Sequence, residues 1–265
     1  MDNDSGTGLP ASLEAAWGLR ERPGRGPRRG LSLDRIVAAA VEIAETEGLA
    51  AVSMGRVAKQ LGSSPMSLYR YVSAKDELLL LMVDAATGPP PAPPGPDTGW
   101  RAAITAWARA HREVLLRRHW ILRIPISGPP ITPNTLAWME QGLAALRHTW
   151  LPPGDKMSVL LLVTGFVRNE ATLTTDIREA TAGTTAASEV LRSYSTLLRK
   201  LTDARTHPHL HEVVTAGVFE DEDDDYPDYD FRFGLERLLD GVETLVRTRE
   251  HLTDAPPAQP GPAPA

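Results

Sequence analysis

Between residues 31 and 87, apolar side chains return every three or four positions in four short runs, each opened by a small polar residue. Ile36, Val37, Ala40, Ile43 and Ala44 predict a helix over 33–47, with Ser32 as N-cap, Leu31 and Ile36 as its hydrophobic staple and Gly48 as its stop. Val57, Ala58 and Leu61 predict a second helix, capped by Ser53, stapled by Val52 and Val57 and ended at Gly62. Ser64 caps a third, with Pro65 at the first helical position, where a missing N–H costs nothing. This helix reaches about Tyr71. Leu68 and Val72 point inward, and Pro65, Met66, Ser67, Tyr69, Arg70 and Tyr71 point mostly outward. Ser73 followed by Asp76 opens a fourth helix carrying Leu78, Leu79, Leu81, Met82 and Val83.

Residues 88–99, GPPPAPPGPDTG, interrupt the pattern, because proline removes amide donors and favours an extended, semi-rigid path. Helical spacing resumes with Trp100, Ile104, Trp107, His111 and Val114 over 100–119. A helix over 135–150 follows, with Asn134 as its cap. Leu136, Met139, Leu143, Leu146 and Trp150 face inward, and Trp138 lies on a different face. The segment 156–176 is apolar nearly all round at its start, so it should touch more than one neighbour. A loop over 180–188, a helix over 188–204 and a last helix over 231–249 complete an all-α chain.

Five segments follow: a flexible basic arm (1–30, within which 11–20 could form a short helix), a helix-turn-helix domain (31–87), a Pro-rich linker (88–99), a larger helical domain (100–251) and a disordered Pro/Ala tail (252–265). The net charge of −6 argues against a nucleic-acid partner until it is divided along the chain. Residues 20–75 hold ten Lys/Arg against five Asp/Glu, whereas 76–265 hold 18 against 26. Phosphate neutralisation needs basic charge where the short helices lie, and that is where it lies. Arg25, Arg28 and Arg29 stand among Gly and Pro, which fits an arm entering the minor groove or a solubilising tail. The absence of cysteine excludes a disulfide framework and any Cys-based metal site. No apolar run is long enough to span a membrane and no leader is apparent, so the expected location is cytoplasmic. HPHLH at 207–211 lacks carboxylates at fixed spacing, and the acidic run 218–230 lacks a calcium loop's glycine turn. No metal or cofactor is expected.

A short helix behind a glycine turn, with small polar residues first and Tyr-Arg-Tyr last, suits a DNA major groove. It equally suits a helix pair with a solvated outer face. The longer run IVAAAVEIAETEGLAAVSMGRVAKQLGSSPMSLYRYVSAKDELL resembles the DNA-binding domain of the tetracycline-repressor (TetR) family. The resemblance implies that Ser67, Tyr69 and Arg70 touch bases and that Tyr71 and Lys75 touch phosphates. Ser53, Arg56, Ser64, Pro65 and Met66 complete the expected DNA-binding set. Pro65 and Met66 replace residues that hydrogen-bond bases in some relatives. The closing FRFGLERLLDGVE resembles the family's last helix, which implies a homodimer formed with 156–176. Gly234, Leu238, Gly241 and Leu245 would be its line of close approach.

The function expected is that of a homodimeric repressor, released from a double-stranded DNA operator by a small, partly apolar effector. Trp107, His111, Trp138, Phe166, Asn169 and Glu170 are its candidate contacts, each also readable as ordinary core or helix-end residues. The alternatives are a helical DNA-binding protein without an effector and a helical enzyme. Against an enzyme, the sequence shows no nucleophile–base pair, phosphate loop or metal spacing.

Overall fold

The computed structural model describes residues 7–19, 31–181, 187–219 and 228–254. Arg25, Arg28 and Arg29, the loop 182–186, most of the acidic run and the tail beyond 254 lie outside the described residues. All regular structure among the described residues is helical: α1 (Ala11–Ala16), α2 (Leu33–Glu47), α3 (Met54–Gln60), α4 (Pro65–Leu68), α5 (Lys75–Thr87), α6 (Trp100–Arg117), α7 (Pro133–Ala145), α8 (Pro153–Thr181), α9 (Ala187–Leu201), α10 (Pro208–Thr215) and α11 (Tyr229–Asp254). Two single 3-10 turns, Leu49–Ala51 and His119–Arg123, follow α2 and α6. The chain divides into two compact units, 1–171 with 238–265, and 172–237, so that the division falls inside α8 and α11.

The first unit begins with the expected capping chemistry. The Ser32, Ser53 and Ser64 hydroxyls accept from the amides of Arg35, Arg56 and Ser67, and Gly48 and Gly62 take φ of 85° and 61°. Ile36, Ile43, Val57, Leu68, Val72, Leu78 and Met82 are fully enclosed and form one core under α2–α5. The fourth helix starts differently from the expectation. Its N-cap is Ala74, and Asp76 takes no part. Glu77 reaches back instead, accepting from both the amide and the hydroxyl of Ser73 at 2.6 Å. Its other oxygen accepts from Ser12 of α1. Thus α1, read as part of a flexible arm, is a docked helix with Leu13 buried, and the Trp17 indole donates to the Ile131 carbonyl at 2.8 Å.

The α7 region departs furthest from the sequence reading. Asn134 does not cap this helix. Thr132 holds the N-cap position, but its hydroxyl turns to Thr135. The capping side chain comes from another helix: buried Asp84 of α5 accepts from the amides of Asn134 (2.9 Å) and Thr135 (3.1 Å), and from the Asn134 side chain. With Pro133 at the first position, every early amide is either absent or paired. This anchoring fixes the rotation of α7. Trp138 is buried, with its indole donating to the Gly88 carbonyl, whereas Trp150 lies beyond the helix end and is exposed. The expected faces of Trp138 and Trp150 are therefore reversed. Residues 88–99 are laid along this domain rather than spanning open space, since Pro91 also accepts from Gln141.

On α8, Val159, Leu160, Val163 and Val167 are buried, but Leu161 and Leu162 are 72% and 54% exposed. The all-round burial expected of this helix does not hold within one chain. Arg249 of α11 pairs with Asp155 of α8 at 3.0 Å, and Arg101 of α6 with Asp240 of α11 at 2.6 Å. In the second unit, α9 packs on α10 through buried Leu198 and Val214, and Tyr194 meets Phe219 edge-on at 5.4 Å. The histidine run opens α10, a helix absent from the sequence reading.

Removing the Asp84 carboxylate leaves two helix-start amides without an acceptor. Asp84→Ala should lower stability in urea titration by about 1–2 kcal/mol, and Asp84→Asn, which keeps an acceptor, by clearly less.

Candidate functional site

The first cluster is built on α3 and α4. Leu68 and Val72 anchor a single-turn helix by burial, and the Ser64 cap fixes its start. Pro65 and Met66 of α4 face out, Met66 being 77% exposed, Ser67 is half-buried, and Tyr69 (47% exposed) and Arg70 follow the helix on its exposed side. The helix is shorter than expected, because 69–71 form a turn rather than a further helical turn. The Ser64 and Ser67 hydroxyls lie 2.9 Å apart. Lys75, exposed, occupies the first position of α5, where helix-start amides attract anions.

Two members of the expected set have other partners. The Tyr71 hydroxyl donates to the Leu31 carbonyl at 2.9 Å. Its proton is committed there, so the phosphate contact expected of it does not describe this conformation; it ties the start of the domain to the end of α4. Arg56 forks onto Glu47, with Nε at 3.1 Å. Hydrogen bonding within this pair lowers the Glu47 pKa and raises that of Arg56. The Ser53 hydroxyl accepts from the Arg56 amide as a cap. The outward cluster is therefore Ser64, Pro65, Met66, Ser67, Tyr69, Arg70 and Lys75.

The second cluster lies within the larger domain. Trp107 of α6 and Trp138 of α7 meet edge-on with centroids 5.9 Å apart, and His111 stands 5.2 Å from the first ring and 5.3 Å from the second. The Trp107 indole donates to the Trp138 carbonyl at 2.9 Å. Burial, and then the positive charge of Arg168, push the His111 pKa down to about 4, so its ring is neutral near pH 7. Its Nδ1 is shielded and has no hydrogen-bond partner, as is true of Nε1 of buried Trp120. Trp107 also borders a shallow, solvent-open cleft walled by Pro91, Pro93, Pro94, Gln141 and Ala144.

The remaining expected contacts do not all join this cluster. Glu170 receives both arms of buried Arg112, at 2.5 and 2.8 Å. Asn169 is exposed on the outward face of α8, and Phe166 is half-buried. Arg112 was missed as a member of this region. A cation one residue from His111 on a helix otherwise apolar on that side was the available signal for Arg112.

The chain's matches to known proteins follow this layout. Residues 36–82 match the model "Bacterial regulatory proteins, tetR family", and 92–246 match "Tetracyclin repressor-like, C-terminal domain". The chain belongs to the TetR family. It is a DNA-binding transcriptional regulator, and TetR-family regulators are not enzymes. It is 41% identical to the HTH-type transcriptional repressor DrrR1 of Streptomyces coeruleorubidus, over 92% of this chain and 90% of that one. ActR of Streptomyces coelicolor, solved with actinorhodin, superposes with a TM-score of 0.68 at 28% identity, covering 84% of this chain and 98% of ActR. ActR solved with (S)-DNPA gives 0.65 at 29% identity, covering 81% and 98%. No helix among the described residues is long and apolar enough to cross a membrane, and no His/Asp/Glu group there could hold a metal.

A histidine whose pKa lies below its unfolded value of about 6.5 makes the unfolded chain bind more protons between those two values. The stabilisation from keeping His111 neutral is complete above pH 6.5 and is lost as pH falls towards 4. Urea titrations across this window should show a loss on the order of 3 kcal/mol that His111→Phe lacks.

Proposed function

We propose that this chain is a homodimeric repressor that reads an operator through α4 and leaves it when a small, partly apolar molecule binds between α6, α7 and α8. The observation that carries the DNA-reading half is the outward cluster on a one-turn helix held from behind by Leu68. Ser67, Tyr69 and Arg70 read base edges, Lys75 holds a phosphate, and Ser64, Pro65 and Met66 set the approach of the backbone. DrrR1, the relative at 41% identity, is a repressor, which favours repression over activation.

The ligand half is supported by the aromatic trio and the unpartnered Nδ1 of His111 within it. ActR, of similar fold, binds actinorhodin and (S)-DNPA, which makes both compounds the first to test. The two recognition helices of a dimer must lie about 34–36 Å apart to enter successive grooves. A ligand that favours another spacing weakens operator binding, and a coupling of about 1–3 kcal/mol suffices.

The dimer is supported by the exposed Leu161, Leu162 and Gly165 of α8 and the exposed Gly241 and Leu245 of α11, a helix tied to α8 by Arg249 and Asp155. Nothing in the protomer lies within 4 Å of a Cβ placed at Gly165 or Gly241. A leucine at 241 is therefore tolerated by the single chain and obstructs a close partner. Gly241→Leu should leave thermal stability of the monomer nearly unchanged while sedimentation shows dissociation. An unchanged dimer would move the interface elsewhere.

Footprinting on the DNA flanking its own gene, followed by titration at several salt concentrations, tests the operator reading. Lys75→Ala should weaken binding to all sequences alike and flatten the salt slope by about one. Arg70→Ala should relax preference at one base pair per half-site, at a cost of roughly 1–3 kcal/mol in discrimination. Loss of footprint by added actinorhodin or (S)-DNPA is the outcome expected if the ligand resembles those of ActR; a tight ligand that leaves operator affinity unchanged rules out release.

A further inference from the structure

Helix α1 is six residues long, too short to hold itself in water, so its place is set by what it touches. Ser12, Leu13 and Glu14 are each no more than 2% exposed. Gly18, at φ 68°, ends the helix, and the Leu19 amide returns to the Glu14 carbonyl at 2.9 Å. Ahead of the helix, the Thr7 hydroxyl donates to the Glu14 carboxylate at 2.6 Å.

Two polar contacts leave this helix, and they go to different places. The Ser12 hydroxyl donates to Glu77, in the first turn of α5. The Trp17 indole donates to the carbonyl of Ile131, the residue before the N-cap of α7. The direct ties already described between α5 and the larger domain lie at the other end of α5, where Asp84 holds the α7 amides, Ala86 accepts from Arg118 and Gly88 accepts from Trp138. Glu77 stands two helical turns before Asp84, about 10 Å along the axis. Helices α5, α1 and α7 thus close a triangle: α5 meets α7 directly through Asp84 and a second time through α1. A helix held at one point can tilt about it. Held at two separate points, it cannot tilt without losing one of them.

The start of α5 is where a tilt would matter most. Glu77 also accepts from the amide and hydroxyl of Ser73, and Lys75 is the first residue of the helix. The turn 69–71 and α4 come immediately before it. A tilt of α5 about Asp84 is largest at the end that faces DNA.

We propose that α1 is a strap that fixes the tilt of α5 against α7, and with it the separation at which a dimer presents its two reading helices. Ser12, Leu13 and Trp17 are positioning residues that do not touch DNA. They make the protein selective for the spacing between half-sites, a property separate from base preference. The spacing consequence rests on the dimeric operator reading proposed above; the triangle of helices does not.

Three variants of the full-length chain test the strap. Ser12→Ala cuts the tie to α5. Trp17→Phe keeps a ring and cuts the tie to α7. Leu13→Asn, which adds no charge, unseats α1 between them. The first readout is amide hydrogen exchange of the DNA-free protein. Trp17→Phe should speed exchange over 73–78, and Ser12→Ala over 131–135, each at the end that its own side chain does not touch. A helix that only packs locally gives the opposite, with each effect confined to its own end. The second readout is affinity for an operator with one base pair inserted between its half-sites, which turns one half-site by about 35° and moves it by about 3.4 Å. The wild type should lose roughly tenfold or more on insertion, and Leu13→Asn and Trp17→Phe roughly threefold or less. Reduced stability alone does not move this ratio, because both operators meet the same folded fraction. The strap is overturned by exchange effects confined to each variant's own end, or by a wild-type spacing preference that both variants keep. Effects at the far ends, with no spacing preference in the wild type, retain the strap and remove the dimeric operator reading. Thermal melts accompany each variant, and Ser12→Ala and Trp17→Phe decide the matter if Leu13→Asn does not fold.

Discussion

The carboxylate of Asp84 is the interaction on which the arrangement of the first unit depends. It sits on α5, in a helix whose other inward residues are apolar, and it accepts the first free amides of α7. A buried carboxylate is tolerated only where donors surround it, so α7 can start only where Asp84 is. The rest follows from that start. The rotation of α7 places Trp138 inward, Trp138 meets Trp107 and His111, and its indole secures Gly88 at the beginning of the proline segment. Arg118 at the end of α6 adds a second tie, bonding Glu45 of α2 at 3.0 Å and the Ala86 carbonyl. Helices of the DNA-binding half and of the larger domain are therefore held to one another by directional polar contacts, which have discrete geometries and do not slide.

The DNA-binding half was legible because its signals are local. Ser32, Ser53 and Ser64 each cap the helix that follows, and Gly48 and Gly62 take the positive φ their positions require. The larger domain was less legible because its decisive contacts are remote in sequence. Periodicity over 135–150 ranks Leu136, Met139, Leu143, Leu146 and Trp150 as one face, but the helix stops at Ala145 and Trp150 never joins it. Asp84 reads as a polar residue at the edge of an apolar helix, and its partners lie 50 residues away. Arg112 looks like a solvent-facing charge, and Glu170 like a ligand contact, until the fold brings them together over 58 residues. Of the residues expected to contact a ligand, Trp107 and His111 lie together because they share one helix face, and Trp138 joins them although its face was misassigned. Asn169 was drawn in by its nearness to Phe166 in sequence, yet on a helix adjacent residues point in different directions.

The charge division along the chain gains a structural meaning from these contacts. Two acidic side chains near the DNA-binding helices are paired with cations: Glu47 with Arg56 and Glu45 with Arg118. With ten Lys/Arg against five Asp/Glu over 20–75, and Arg70 and Lys75 exposed, the segment can attract phosphate although the chain as a whole is anionic.

The shortness of α4 has an evolutionary consequence. A single turn cannot hold itself together, and here it is held by Ser64, Pro65, Leu68 and Val72, together with Gly62 before it. The residues that face away, Met66, Tyr69 and Arg70, contribute little to that support. Folding and reading are thus assigned to largely different side chains of the same few positions. Duplicated copies of such a gene can change their outward residues one at a time without passing through an unfolded intermediate, and a genome can fill with regulators of one shape and many addresses.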